Sequence, residues 1–446
     1  MIDLIEKIAT HKACIGIIGL GYVGLPLSLA FAKKYSVIGY DIDPDLITGL
    51  LKGNSHICDI SNDELQEALT SSFCPSDKIT DLKKADFIII CVPTPLDQEK
   101  IPDLTYIKLA CSAIASVLSP GMFIILESTT YPGTTLEVVK PILETTGYIA
   151  GQDFGLAYSP ERIDPGNLAF SVADIPKVVG GIDESCTHTA AALYGSIIEE
   201  IITVSDTTTA ESVKMVENIF RNVNIALVNE LSLIFEQMGV NIWEIIDAAA
   251  TKPYGFMPFY PGPGIGGHCI PLDPYYMSYK AKKFGFIPQF IEKSGEINEF
   301  MPFHVVNLIE KGLNRVKKSI FGSDIAVLGL TYKRDLSDTR ETPACEVIDE
   351  LSRLGAHIRV FDPYIAQLTT RLGSYYSKAT LEDAIAGADC AVFLIDHSRF
   401  SSLNLDLLIK TMKNPVIVDC KNIFINPGSE TIYLGLGKGN TISPGR

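Results

Sequence analysis

Short, unbroken apolar runs alternate along this chain with helix-length amphipathic stretches, and most runs end in a small, rigid or acidic residue. Residues 14–19 (Cys-Ile-Gly-Ile-Ile-Gly) read as a buried strand. Gly19-Leu-Gly-Tyr-Val-Gly24 then opens a helix to about Lys34, and Val37-Ile-Gly-Tyr-Asp41 is a second strand ending in an acid. Further strands are predicted at 86–92, ahead of Pro93-Thr-Pro95, at 122–129, and at Phe154-Gly-Leu-Ala-Tyr158. Ile325–Leu330, His357–Asp362, Cys390–Ile395 and Val416–Asp419 form a second set alternating with helical patterns. Runs without polar alternation belong to parallel sheets covered on both faces.

Between the two sets, residues 206–239 predict one long helix, with Asp and Thr at 206–209 for capping and Gly239 as a stop. Val213, Val216, Ile219, Phe220, Val223 and Leu227 give it an apolar stripe. Glu211, Lys214, Asn218 and Asn222 recur at helical spacing, so Lys214 and Asn218 lie one turn apart. A polar face of this kind is ordinarily solvated, but a helix of some thirty residues spans roughly 45 Å, enough to bridge two domains and offer a dimer seam. Tyr275–Phe284 and Gly295–Asn314 read as further helices, and Lys317-Lys-Ser-Ile-Phe-Gly322 as a linker. The glycine-rich tail from Gly435 reads as flexible.

The first strand and helix carry more than packing information. Strand, G-x-G-x-x-G, helix, strand and an acid about twenty residues on make a dinucleotide-binding fingerprint with its context intact. Gly19 permits the turn, Gly21 admits the pyrophosphate and Gly24 lets helix and strand approach. Asp41 suits a ribose 2′-hydroxyl and would repel a 2′-phosphate, so NAD is favoured over NADP. Thr94, Ser128 and Thr129 end strands where an open α/β sheet lines its ligand crevice, and are candidate contacts to the nicotinamide half. The architecture predicted is α/β: two Rossmann-like doubly wound domains joined by a helical central domain with a long connecting helix. The expected boundaries are 1–205, 206–316 and 317–446.

At 446 residues the length agrees with several cores. The 37 basic against 53 acidic residues, a net charge of −16, argue against a nucleic-acid surface. The ten cysteines, at 14, 58, 74, 91, 111, 186, 269, 345, 390 and 420, include no C-x-x-C pair. Reduced thiols in a cytoplasmic protein are expected, with no metal site. The apolar run from Cys14 to Ala32 is interrupted by Gly16, Gly19, Gly21, Gly24 and Pro26, which makes a poor membrane helix. A soluble chain is expected.

The candidate chemistry centres on Pro261-Gly-Pro-Gly-Ile-Gly-Gly-His-Cys-Ile-Pro-Leu-Asp-Pro274. Its glycines can bring bare amides against a ligand, and Cys269 there can attack an electrophilic carbon. An ordinary Gly/Pro-rich turn is the competing explanation. Glu161, in Ser159-Pro-Glu-Arg-Ile-Asp-Pro-Gly166, is a possible general base. In the second doubly wound half the glycine fingerprint is absent, and Thr331-Tyr-Lys-Arg-Asp-Leu-Ser-Asp-Thr-Arg-Glu341 stands in its place. Lys333, Arg334 and Arg340 suit phosphate binding by side chains, unless Asp335, Asp338 and Glu341 merely balance them. Simple alcohol oxidation by NAD needs no cysteine. A cysteine is needed when an aldehyde is trapped as a thiohemiacetal, oxidised to a thioester and hydrolysed. A two-electron dehydrogenase of the β-hydroxyacid type and a non-catalytic NAD-binding regulator are the alternatives.

These residues resemble the nucleotide-sugar 6-dehydrogenases, the family of UDP-glucose and GDP-mannose dehydrogenases. The resemblance runs through Gly19–Asp41, Val92-Pro-Thr-Pro95, Ser128-Thr129, Pro160-Glu161, Ala210–Lys214 with Asn218, Gly266-Gly-His-Cys269 with Asp273, and Tyr332-Lys333 to Asp338-Thr-Arg340. It implies Cys269 as nucleophile, with Lys214, Asn218 and Asp273 around the reacting C6 oxygen. Lys214 would stabilise negative charge, Asp273 would position a water as acid/base, Glu161 would support thioester hydrolysis, and Thr129 would lie near that water. Tyr22 and Val23 join the glycines at NAD, and Arg340 would meet its pyrophosphate. Glu161, Arg162, Lys214, Asn218, Tyr260, Gly264, Gly266, Gly267 and Lys333 are implied at the substrate, Lys333 at its UDP part. A homodimer through the long helix is also implied. The family often has Asp-x-Arg-Asn near its end, where this chain has Asp419-Cys-Lys-Asn422; Lys421 keeps the charge but not the bidentate fork. The aromatic stretch Lys252–Tyr260 resembles the branch acting on 2-acetamido sugars, and most of all its UDP-N-acetylglucosamine members.

Overall fold

A computed structural model describes residues 2–57, 60–97, 99–162, 174–267, 270–425, 428 and 431–439. The chain forms two compact units, Met1–Glu217 with Tyr275–Ile287, and Asn218–Pro274 with Pro288–Arg446.

In the first unit, strands β1 (Cys14–Ile18), β2 (Ser36–Tyr40), β3 (Phe73–Ser76), β4 (Phe87–Ile90), β5 (Phe123–Leu126), β6 (Gly155–Tyr158), β7 (Lys177–Gly181) and β8 (Ile201–Thr203) make one sheet. Its order is β3-β2-β1-β4-β5-β6-β7-β8. All neighbours are parallel except β6 with β7. The order reverses between β1 and β4, which is where such sheets bind ligands beyond their strand ends. Every residue of β4 and β5 is buried, which is why those runs carry no polar alternation. The sequence reading passed over β3, β7 and β8. Strand β3 contains Pro75 and lies at the sheet edge, and β7 opens on Lys177, whose ammonium is buried against Glu127. The apolar run from Cys14 resolves into β1, the glycine turn and the helix Gly24–Ala32. Among the described residues no helix is long and apolar enough to cross a membrane.

In the second unit, β9 (Asp324–Leu328), β10 (His357–Phe361), β13 (Cys390–Phe393), β14 (Val416–Asp419) and β15 (Ile432–Gly435) form a parallel sheet in the order β10-β9-β13-β14-β15. A hairpin of β11 (Gln367–Thr369) and β12 (Ser374–Tyr376) follows β10. The helix Gln289–Arg315 packs on this sheet, beginning six residues earlier than the pattern suggested and continuing through Pro302. The described start of the glycine-rich tail is docked. Leu436 is fully buried, its carbonyl accepts Trp243 Nε1–H at 2.9 Å, and the Gly437 carbonyl accepts Ile242 N–H at 2.9 Å. The expected flexibility is therefore corrected for 435–439; residues 440–446 lie outside the described set.

The long helix forms as predicted, Thr207–Met238, with its polar face turned inward rather than solvated, and Val213, Ile219 and Val223 of the apolar stripe half-buried. Val216, Phe220, Leu227, Ile234 and Met238 are exposed, Phe220 by 47% and Leu227 by 49%. Glu211, Lys214, Asn218, Asn222 and Asn229 are buried instead. Buried polar groups persist only where they find partners, and each of these has one.

Candidate active site

At the C-terminal end of β1 the three fingerprint glycines meet different surroundings. Gly19 sits at φ +92, and a Cβ there would stand 2.7 Å from the Cys91 carbonyl oxygen. A Cβ on Gly24 would come within 1.8 Å of the Gly19 oxygen, so the helix can approach the turn only as glycine. Around Gly21 nothing lies within 4 Å. The helix that follows has Val23 at its N-cap with no side-chain cap bond; Leu25 N–H is taken by the Gly21 carbonyl at 3.1 Å and Pro26 has none, so Gly24 N–H is the group of the first turn that points past the loop toward an anion. Tyr22 packs on the core beside it. Asp41, half-buried at the end of β2, takes Leu20 N–H at 2.8 Å and keeps carboxylate surface available. An open side at Gly21, an uncapped helix start and a half-exposed acid fit a dinucleotide. Ser128 Oγ donates to the Val92 carbonyl at 2.8 Å, and the Thr94 carbonyl accepts the Tyr276 hydroxyl, so both hold strand ends in place. Thr129 is half-buried beside Ser128.

Lys214 projects from the long helix into the buried part of the first unit. Its ammonium donates to the Glu161 carbonyl at 2.7 Å and lies 3.2 Å from the Glu161 carboxylate. One turn earlier, Glu211 accepts from Gly133 N–H at 2.5 Å and from Thr135 N–H and Oγ1–H at 2.8 and 2.7 Å. Burial pushes its carboxyl up to about 7 against those bonds. Glu211 thus anchors the loop that follows Ser128-Thr129, a role the sequence reading did not assign. Arg162 is forked onto Glu217, with Nη2 at 2.7 Å from Oε1.

The glycine–cysteine loop belongs to the second unit; His268 and Cys269 lie outside the described residues. Its flanks are fixed by buried amides. Gly262 N–H donates to Asn229 Oδ1 at 3.0 Å, and Asn222 Nδ2 donates to the Ile270 carbonyl at 3.0 Å. Asn298 and Ser294 complete the network, Asn229 Nδ2 reaching Asn298 Oδ1 at 2.9 Å and Ser294 Oγ reaching Asn222 Oδ1 at 2.7 Å. Asn218 Nδ2 donates to Asp273 Oδ2 at 2.5 Å, with both side chains buried. The Asn spacing of 218, 222 and 229 along one helix face was the available signal for this network.

Gly266 and Gly267 press on the Tyr332–Pro343 segment. A Cβ on Gly266 would lie 2.4 Å from Tyr332 Cβ, and Gly267, at φ +87, donates its N–H to the Arg340 carbonyl at 3.0 Å. Gly264, at φ +134, abuts Pro343. Arg340 itself is clasped by Asp338, with Nε 2.9 Å from both carboxylate oxygens. Arg334 pairs with Asp335 and Asp396. Lys421 is half-buried against Gly262, where a Cβ would meet Nζ at 2.7 Å. Tyr260 is turned to its own helix, stacked on Trp243 at 5.5 Å with its hydroxyl on Asp247 at 2.7 Å.

Three domain models of one family match the chain in order. The NAD binding domain of the UDP-glucose/GDP-mannose dehydrogenase family covers residues 13–198, its central domain 208–300 and its UDP binding domain 326–426. The chain belongs to the UDP-glucose/GDP-mannose dehydrogenase family. It is therefore an NAD-dependent UDP-sugar dehydrogenase, with the two sheets and helical middle part of that architecture. The UDP-N-acetyl-D-mannosamine dehydrogenase of Pyrococcus horikoshii is 37% identical over 430 residues, spanning 96% of this chain and 99% of the relative. The UDP-N-acetyl-D-glucosamine 6-dehydrogenase of Pseudomonas aeruginosa is 36% identical over 414 residues, spanning 91% and 96%. A solved structure of the UDP-D-ManNAc dehydrogenase from P. horikoshii superposes with a TM-score of 0.89 at 36% identity, covering 96% of this dehydrogenase and 99% of that chain.

Proposed function

We propose that this dehydrogenase oxidises the C6 hydroxyl of UDP-N-acetylglucosamine to the carboxylate, in two steps through Cys269. The buried Lys214–Glu161 pair and the buried Asn218–Asp273 pair support the C6 chemistry, because each holds charge or hydrogen-bonding capacity in a dry environment. NAD, held by the Gly19–Gly24 turn and Asp41, would supply the hydride acceptor for each of the two oxidations. Lys214 stabilises negative charge on the C6 oxygen as its proton leaves. The Cys269 thiolate adds to the C6 aldehyde, giving a thiohemiacetal whose oxidation leaves a thioester. Asp273, oriented by Asn218, directs a water onto that thioester, and Glu161 supports the hydrolysis. The sum is one alcohol, one water and two NAD⁺ to one carboxylic acid, two NADH and two protons, the acid then ionising. Lys333 is assigned to the UDP diphosphate and Arg340 to the NAD pyrophosphate once Asp338 releases it.

The C2 epimer, UDP-N-acetylmannosamine, is the second reading, favoured by the name of the P. horikoshii relative at an identity close to that of the P. aeruginosa enzyme. Tyr260 is stacked on Trp243, and Tyr254, Phe256 and Met257, all exposed, are the further aromatic and thioether candidates to pack on the acetamido group. A single methyl contact discriminates by only about 1–3 kcal/mol. The deciding experiment counts NADH released per UDP-sugar consumed, for wild type and Cys269→Ser, with both epimers. About two NADH in the wild type and a stalled second oxidation in the variant are expected from the thioester route. One NADH, or undiminished turnover by the variant, refutes it. The exposed ridge Phe220, Leu227, Ile234 and Met238 supports a homodimer through the long helix. Sedimentation should give twice the chain mass, and a monomer for the double variant Leu227→Glu, Ile234→Glu.

A further inference from the structure

His397 is fully buried and sits immediately before the short helix Ser398–Ser401. Its Nδ1 accepts Asp335 N–H at 3.0 Å, so the ring proton lies on Nε2. That proton is shared between Asp362 Oδ2 at 3.1 Å and Thr331 Oγ1 at 3.3 Å. Thr331 Oγ1 in turn donates to the Lys333 carbonyl at 3.0 Å. Asp362 Oδ2 also takes Leu330 N–H at 2.6 Å and Thr331 N–H at 3.3 Å. The loop around Lys333 is therefore held at residues 330, 331, 333 and 335 by one imidazole–carboxylate couple. Asp335 closes the loop in the left-handed region, φ 56, uncommon for a residue with a side chain. Its carboxylate is tied to Ser398 N–H at 2.9 Å and the Tyr364 hydroxyl at 2.9 Å. Residues 397 and 398 thus grip Asp335 through both its backbone and its side chain.

We propose that His397 is a positioning residue for substrate, fixing the 331–335 backbone in the form that presents Lys333 to the diphosphate of the UDP-sugar. This rests on the assignment of Lys333 to that diphosphate. Burial obliges both ring nitrogens to be matched, and here both lines of contact end on the Lys333 loop. The nitrogen that matters most is Nδ1, because it accepts from the residue that closes the loop.

The two amide replacements separate the nitrogens. His397→Asn places an amide oxygen near the Nδ1 position and can still accept from Asp335 N–H. His397→Gln reaches toward Asp362 and leaves Asp335 N–H unmatched. UDP binding would be measured by calorimetry and both KM values by initial rates, with NAD binding as the check that each variant is folded. For Gln, UDP affinity should fall and KM for the UDP-sugar should rise by roughly ten-fold, with kcat and KM for NAD changed by less than about two-fold. For Asn, UDP affinity should stay within about three-fold of wild type. A folded Gln variant with wild-type UDP affinity overturns the inference, as does a folded Asn variant weakened by ten-fold or more. If Gln does not fold, the Asn variant alone decides. Lys333→Ala distinguishes the two levels: unchanged UDP binding there refutes the assignment of Lys333. Weakened binding in Lys333→Ala beside unaffected His397→Gln refutes only the role of His397.

Discussion

Asp41 and Asp362 occupy the same place in two sheets of related order. Each directly follows the strand beside the central one, β2 next to β1 and β10 next to β9. Each accepts the N–H two residues beyond that central strand, Leu20 at 2.8 Å and Leu330 at 2.6 Å. Gly19 and Gly329 correspond too, with φ of +92 and +83, and their N–H groups bond the Tyr40 and Phe361 carbonyls, each at 2.9 Å. Beyond this point the halves diverge. Asp41 stays half-exposed, its oxygens taking Leu20 and Asp43 N–H, after a loop with two more glycines. Asp362 is buried and committed to His397, Thr331 and Tyr364 N–H, after a loop in which Thr331 and Arg334 stand where the first half has Gly21 and Gly24. One topology therefore serves two recognition strategies. On the roles proposed above, the first half would read its ligand with backbone and one half-exposed acid, whereas the second uses that acid to stiffen a loop and would leave recognition to cationic side chains.

The sharpest way to break this comparison is to remove both acids. Asp362→Ala leaves Leu330 N–H, Thr331 N–H, Tyr364 N–H and the imidazole without their acceptor, and should cost roughly 3–5 kcal/mol of stability by denaturant unfolding. Asp41→Ala should cost about 1 kcal/mol and instead weaken NAD binding by roughly ten-fold. Equal losses of stability would show that the two acids do the same work.

Acidity gives the next contrast. Burial raises Asp362, but the bonds from His397 and Leu330 outweigh it and hold the carboxyl below its usual range. Its contribution to stability is present above about pH 4 and is lost as the pH falls below that. Glu211, pushed up to about 7 by burial, contributes in the opposite sense. Its contribution is complete below about pH 4.5 and disappears as pH rises through 7, an effect of up to roughly 3 kcal/mol. Thermal unfolding of wild type against Glu211→Gln should therefore diverge between pH 5 and about 7.5, with the wild type losing stability as pH rises. Parallel curves would refute it.

The smallest expected stability change is the most diagnostic. Gly21→Ala puts a methyl group where nothing lies within 4 Å, so the melting temperature should move by less than about 2 °C. NAD binding should nonetheless fall by at least about ten-fold, because that open side is the approach for the pyrophosphate. Intact NAD affinity would overturn this use of the glycine loop.

Much of the fold was legible because parallel strands buried on both faces leave a coarse signature; Phe87–Ile90 and Val416–Asp419 need no alternation to be recognised. Strand β7 was not legible because Lys177 and two glycines interrupt its pattern, and its buried ammonium depends on Glu127, fifty residues away. The long helix was legible in extent and left open in orientation. Periodicity reports which residues share a face, and only tertiary partners decide whether the polar or the apolar face turns inward. The site shows the same division. Gly19, Gly24, Lys214 and Asp273 were candidates by spacing, whereas Asn229, Asn298 and His397 bond to neighbours that are remote in sequence.

The paired anchors of the glycine–cysteine loop make the long helix a ruler. Asn222 and Asn229 are seven residues apart, close to two full turns, and clamp Ile270 and Gly262 in antiparallel sense. One residue inserted between them would swing one anchor by about 100° and detach one end of the loop, although every side chain of the site would still be encoded. Drift in this stretch is thus confined to substitution: side chains can change there, but the count of residues cannot.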